Sequence, residues 1–388
     1  MFIGAENLVK PQNFRDGTDR RHVLARSGLD NLIPVLRRRG YEVVAPTVRD
    51  GAIVYDRVES PAELPAGWGD DQEAGRYRLR RRSDEALFGY ASSSQSWKRF
   101  LHLPDQRLCR IARKGPGLEV SQESPEPPAY AFLGVRPCDL RALEILDRVF
   151  LEDRFADSGY RQRRSRLFVA AVNCGFPSAT CFCASMGTGP GAEKGYDLLL
   201  TEILEGGHRF LLQAGTAAGE EVLSELGARA AGPADGEAAA RVLSGARDSM
   251  RRSVQVEGIK DLLYASDEHP RWKDVAARCL ACANCTLACP TCFCTTVDDH
   301  SDIGVQEAER WRRWDSCFTL GFSYIHGGSI RNSVAARYRQ WLTHKLASWQ
   351  DQFGSPGCVG CGRCITWCPA GIDITEEARA IRGASKEE

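Results

Sequence analysis

The apolar positions of this chain follow two different periods, and the change from one to the other predicts its elements. Over residues 22–39 they recur at helical spacing and predict an amphipathic helix, followed by short strands at 41–44 and 52–57. Polar stretches rich in Pro and Gly at 60–71 and 121–128 (SQESPEPP) predict loops. The clearest signal comes next. Residues 129–135 (AYAFLGV) form a buried-strand run, Arg136-Pro137-Cys138-Asp139 a turn, and 140–150 a helix. Residues 166–172 (RLFVAAV) repeat the pattern and end at Asn173-Cys174, and two further strands at 196–203 and 208–213 are joined through Gly206-Gly207. This alternation predicts an α/β domain over residues 1–255 with a mostly parallel sheet. Residues 214–252 are rich in Ala and Gly and read as helical. A linking helix over about 256–266 leads into a second domain, 256–388, expected to be α-rich and ferredoxin-like, with its body starting near Pro270. Inside it a helical insertion is expected at about 295–355, ending in a long helix over 333–353. The first twenty residues are polar and irregular, and are expected to be poorly ordered or wrapped on a partner.

Composition narrows the functional classes. A length of 388 residues suits two or three domains, and 43% hydrophobic residues suffice for real cores. The 51 basic residues are balanced by 51 acidic ones, which argues against nucleic acid as a main partner. The basic runs at 37–39 and 78–82 read as solvated faces. The first ten residues lack the pattern of a secretory signal, and no run approaches the roughly 18 apolar residues of a membrane span. Sixteen cysteines in such a chain imply a reducing compartment and read as metal ligands, not disulfides.

Their spacing carries the chemistry. Cys279-x2-Cys282-x2-Cys285-x3-Cys289-Pro290 and Cys358-x2-Cys361-x2-Cys364-x3-Cys368-Pro369 are two copies of the bacterial ferredoxin run, in which the fourth cysteine binds the other cluster. Three thiolates two residues apart wrap three corners of a cubane, and a cysteine on a following helical turn reaches the fourth. Proline then redirects the chain. The expected sets are crossed: Cys279, Cys282 and Cys285 with Cys368, and Cys358, Cys361 and Cys364 with Cys289. C-x2-C pairs also build zinc ribbons, but those use two pairs, not triplets followed by Cys-Pro.

Seven other cysteines lie outside these runs and Cys109. Cys138 and Cys174 each follow an expected parallel strand, at the carboxyl ends where sites gather in open α/β sheets. Cys181 and Cys183 follow in a Thr-Cys-Phe-Cys string, ahead of the glycine-rich loop 186–190. These four could ligate a third cluster, or serve as small buried apolar residues. The string recurs at Cys292 and Cys294, and Cys317 lies further on. These three are open to three roles: hydrogen bonding to sulfur, replacing a proposed ligand, or holding another centre. Cys109 reads as plain core, and His326 either as a structural histidine or as one facing a cofactor. No dinucleotide or phosphate-binding glycine motif is present, so no catalytic residue is assigned.

Seven strings together resemble a known family: GVRPCDLRAL (134–143), TCFCASMGTGP (180–190), CLACANCTLACPTCFC (279–294), WRRWDSCF (311–318), YIHGGSIRNS (324–333), RYRQWLTHKL (337–346) and GCVGCGRCITWCPAGIDIT (357–375). They look like the β subunits of soluble [NiFe]-hydrogenases, or sulfhydrogenases, a wider family that also includes one of the subunits of anaerobic sulfite reductase. The resemblance covers roughly residues 130–380, and the first 120 residues carry no matching motif. It implies an iron–sulfur relay in a cytoplasmic complex. A separate FAD/NAD(P)-binding, reductase-like subunit would meet the nicotinamide, and the [NiFe]-hydrogenase small and large subunits would carry the hydrogen chemistry. Two alternatives stand beside it: the electron-transfer subunit of a sulfite reductase, and a flavin-binding oxidoreductase subunit like those that reduce the deazaflavin coenzyme. The Arg- and aromatic-rich segment 331–349 is read either as a docking surface or as a packed helix.

Overall fold

The fold, taken from a computed structural model, is described for residues 21–121, 126–152, 155–304 and 306–384. The first twenty residues and part of the 121–128 loop lie outside these. The strands Tyr130–Val135, Phe168–Val172 and Leu198–Ile203 are buried at every position, as strands covered on both faces must be. They form the middle of an eight-stranded sheet in the order Arg229–Ala230, His22–Ala25, Arg209–Ala214, Leu198–Ile203, Phe168–Val172, Tyr130–Val135, Glu42–Arg49, Ala52–Arg57.

The sheet is mixed, which corrects the mostly parallel expectation. Its four central strands run parallel, and both flanks are antiparallel. Connection length decides this, because a short turn can only return the chain antiparallel. Asp50 and Gly51, both with positive φ, make such a turn between Glu42–Arg49 and Ala52–Arg57. The helix expected over 22–39 is shorter than its spacing suggests. His22–Ala25 is instead a strand paired with Arg209–Ala214, a 3-10 turn follows, and the α-helix is Leu32–Arg38. Pro34 lies in its first turn, where the missing N–H costs nothing, but it bars helix further upstream.

The helix Pro137–Leu151 starts earlier than expected, with Pro137 in its first turn, so Cys138 sits at its N-terminus. Its Leu140, Leu143 and Leu146 pack on the sheet. The expected helical insertion is helical only in its second half. Thr295–Ser301 and Glu307–Trp314 form an antiparallel hairpin, which pairs through Glu307–Trp314 with Asp105–Lys114 and so joins the two halves of the chain. The β-branched Thr295, Thr296 and Val297 and the aromatic Trp311 and Trp314 favour strand here. The helix then runs through Val334–Thr343, a π-helical turn His344–Ser348, and Trp349–Phe353. Its Tyr338, Trp341, Leu342, Leu346 and Trp349 are buried, so one face of this helix packs in the interior.

Candidate iron–sulfur site

The two cysteine runs fold as near copies. Each wraps a loop, turns into one short helix (Asn284–Leu287 or Arg363–Thr366), and presents its fourth cysteine at the helix end before proline. Each loop needs left-handed backbone two and four residues after its first cysteine. The first copy places Ala281 (φ 50°) and Ala283 (φ 67°) there, and the second Gly360 (φ 65°) and Gly362 (φ 74°). The amide at the first of these positions donates to the leading sulfur in both copies: Ala281 N to Cys279 Sγ at 3.4 Å, and Gly360 N to Cys358 Sγ at 3.5 Å. Ile372 N donates to Cys368 Sγ at 3.4 Å. Amides aimed at sulfur suit thiolates that carry charge.

The fourth cysteines cross over. Cys279, Cys282, Cys285 and Cys368 line one small cavity, walled by Phe318, Tyr338 and Trp341. Cys289 lies among Cys358, Cys361 and Cys364 instead. Cys364 also reaches the first cavity, so the two quartets adjoin. They differ in depth. Cys282 is exposed, beside Leu280, which is 68% exposed, whereas Cys289 and Cys361 are buried. We call the first quartet outer and the second inner.

Cys138, Cys174, Cys181 and Cys183 line a further cavity together, with Pro137, Gly189 and Pro190. All four are buried. Two of them follow the neighbouring parallel strands Tyr130–Val135 and Phe168–Val172, whose carboxyl ends open there. A Cβ on Gly189 would stand 3.0 Å from Cys183 Sγ, so the glycine lets the loop close on the sulfurs. This quartet abuts the inner loop: Phe182 N donates to Gly360 O at 2.8 Å, and Cys181 Sγ lies 3.8 Å from Cys361 O. A Cβ on Gly360 would fall 2.7 Å from the Cys183 backbone, and one on Gly362 2.5 Å from Thr180 O. That explains why the second loop carries glycine where the freer first loop tolerates alanine. Arg363, fully buried, clamps the contact with Asp139, beside Cys138, through Nη2–Oδ2 at 2.9 Å and Nη1–Oδ1 at 2.8 Å.

Burial raises the thiol pKa values of the third quartet, with Cys181 pushed up to about 12. Cys358 is likewise pushed up to about 12, and Cys285 and Cys364 well above the usual thiol range. Such groups become thiolates only when a metal takes the proton's place. Cys289 is different: the neighbouring Cys292 thiol, then the Lys345 and Lys98 ammoniums, outweigh burial and hold its pKa well below the usual value. Among the described residues no three Cys, His, Asp or Glu side chains converge on a single ion.

The remaining cysteines divide. Cys292 contacts Cys289, the Cys317 amide faces the Cys294 sulfur, and Asp315 N donates to Cys294 O at 2.9 Å. Cys109 stands apart, half-buried in the strand Asp105–Lys114. His326 is exposed in the small hairpin Tyr324–Ile325/Gly328–Ser329. Sequence reasoning missed Lys98, Lys345 and the Arg363–Asp139 pair. The pattern around each reads as an ordinary helix or turn, and only the fold buries them.

The profile of a 4Fe-4S dicluster domain matches residues 278–372, the span of both loops. The chain is also 31% identical over 307 residues to sulfhydrogenase 2 subunit beta of Pyrococcus furiosus, covering 77% of this chain and 86% of that protein. This chain belongs to the sulfhydrogenase β-subunit family. As a member of that family it is an iron–sulfur electron-transfer subunit, with an N-terminal α/β domain on a mixed sheet and a dicluster domain at the C-terminal end. Among the described residues, no helix of this sulfhydrogenase β homologue is long and apolar enough to cross a membrane.

Proposed function

We propose that this chain is a relay with no substrate pocket of its own. It holds two [4Fe-4S] clusters in the crossed sets, Cys279, Cys282, Cys285 with Cys368 and Cys358, Cys361, Cys364 with Cys289. A third cluster is held by Cys138, Cys174, Cys181 and Cys183. The observation that carries this reading is the serial contact of the quartets, since the inner one adjoins both others. A bound cubane supplies one-electron transfer. The chain's own residues hold the sulfurs, exclude water from the inner and third quartets, and aim amides at the ligands. The exposed Cys282, beside the exposed Leu280, marks the outer quartet as the end offered to a partner.

The partners we assign are the small and large [NiFe]-hydrogenase subunits together with an FAD/NAD(P)-binding, reductase-like subunit, in a cytoplasmic hetero-oligomer. The relative's name as a sulfhydrogenase β subunit supports this choice. Iron, acid-labile sulfide and flavin measured per full chain after anaerobic purification test the reading. About twelve iron and no flavin are expected, at four iron per cluster. About eight iron would return the third quartet to a structural role, and bound flavin would favour a flavin-binding oxidoreductase subunit. Absence of iron would sink the relay.

A further inference from the structure

The inner quartet differs from the others in what is aimed at one of its sulfurs. Lys345 Nζ donates to Cys289 Sγ at 3.0 Å and to Thr291 Oγ1 at 3.2 Å. The Thr291 hydroxyl donates in turn to Gly357 O at 2.6 Å, so its lone pairs are free to hold the ammonium in place. Lys345 is 4% exposed and lies on the π-helical turn His344–Ser348, a distortion that recurs at functional positions. Its own carbonyl accepts from Gly357 N at 2.7 Å, which ties that turn to the start of the inner loop. A second buried lysine, Lys98, comes from the α/β domain. Its Nζ donates to Thr286 O at 3.3 Å and Cys292 O at 2.9 Å, bracketing Cys289 on both sides in sequence.

Among the described residues neither ammonium has a carboxylate within ion-pairing distance. Burying a lone ammonium costs several kcal/mol unless an anion compensates it. Among those residues, the negative charge that the geometry offers Lys345 is the Cys289 sulfur and the centre that sulfur binds. We propose that Lys345 is a positioning residue that sets the reduction potential of the inner cluster, by donating from a buried ammonium to the Cys289 sulfur, with Lys98 fixing the turn that carries it. Reduction adds one negative charge to the centre. A fixed cation in a low-dielectric site favours the reduced form, and a hydrogen bond to a ligand sulfur acts the same way. The inner centre is therefore easier to reduce than it would be without the buried ammonium. The same geometry gives Cys292 a role as a neighbour of the Cys289 sulfur and not as a ligand.

This inference rests on the cluster assignment above. The test is a redox titration of the full chain followed by electron paramagnetic resonance, with the inner signal identified by its change in Cys361→Ser. Lys345→Met is expected to make reduction of that centre at least tenfold less favourable, about 59 mV more negative for one electron. Lys345→Arg should keep most of the potential, and the outer centre should not move in either variant. An inner signal present at full iron content with an unmoved potential overturns this inference alone. If Lys345→Met loses the inner cluster, Thr291→Val decides. It keeps the ammonium but removes its anchor, and it must shift the potential in the same direction. A wild-type chain without the inner signal removes the underlying assignment and this inference with it.

Discussion

At the scale of single residues, the two loops do the same geometric task with different side chains, and this makes opposite substitutions informative. Gly360→Ala places a Cβ at 2.7 Å from the Cys183 backbone at a φ of 65°. The left-handed backbone alone costs about 1–2 kcal/mol, and the clash adds to it. The expected result is a lower melting temperature and lost iron. Ala281→Gly in the outer loop relieves a comparable strain, partly offset by about 0.5–1 kcal/mol of glycine entropy. Thermal melts should show it neutral or slightly stabilising. A destabilised Ala281→Gly would mean the first loop depends on its methyl group. Asp139→Asn leaves Arg363 buried without its counter-charge, and breaking such a pair costs about 3–5 kcal/mol. Denaturant titration should show a loss of that order, and a change below about 1 kcal/mol would mean that water replaces the carboxylate there.

At the scale of elements, the hairpin Thr295–Ser301/Glu307–Trp314 is held to the α/β domain by backbone pairing and by a side-chain link through Asp157. Asp157 accepts from Tyr160 N at 2.7 Å, which caps the helix Ser158–Ser165, and it also pairs with Arg312 of the hairpin. Burial alone would raise the Asp157 carboxyl, but Arg312 and the Tyr160 amide outweigh it and hold its pKa below the usual carboxylate value. A depressed folded-state pKa contributes stability that is full above the unfolded value of about 4 and is lost as pH falls through the folded value. Asp157→Asn should therefore lower stability at neutral pH and flatten its decline below about pH 4. Melting curves across that range check this, and parallel wild-type and variant profiles would refute it. The helix that carries Lys345 starts at Ser333, whose hydroxyl accepts from Ala336 N at 3.1 Å. Ser333→Ala should cost about 0.5–2 kcal/mol in a denaturant titration.

At the scale of the whole molecule, the quartets lie at graded depth. The outer set includes an exposed cysteine, and the third set is wholly buried. Iron released to a ferrous chelator should leave in two phases, with about four iron per chain lost first from the outer site. A single phase would mean that the sites unfold together. Because the buried thiols must lose protons to bind metal, iron uptake by the apoprotein should release protons and weaken as pH falls. A pH-stat reading with no proton release would contradict that.

The chemistry was legible in the order of residues, because cysteine spacing and Cys-Pro are local demands of wrapping a cluster. So were the buried strands 130–135 and 168–172, whose unbroken apolar runs leave no solvent face, and the strand 198–203, where Thr201 and Glu202 interrupt the run. Long-range contact settled what remained. Pairing with Arg209–Ala214 turned His22–Ala25 from an expected helix into a strand, and pairing with Asp105–Lys114 turned half of an expected helical insertion into a hairpin. Local spacing cannot report which distant strand supplies the hydrogen bonds. The same holds for Lys98, Lys345 and Arg363. Each is a common surface type whose role comes from burial beside a loop, a sulfur or a carboxylate that is distant along the chain. Charge acquires its strength from the surroundings that exclude water, and only the folded chain provides them.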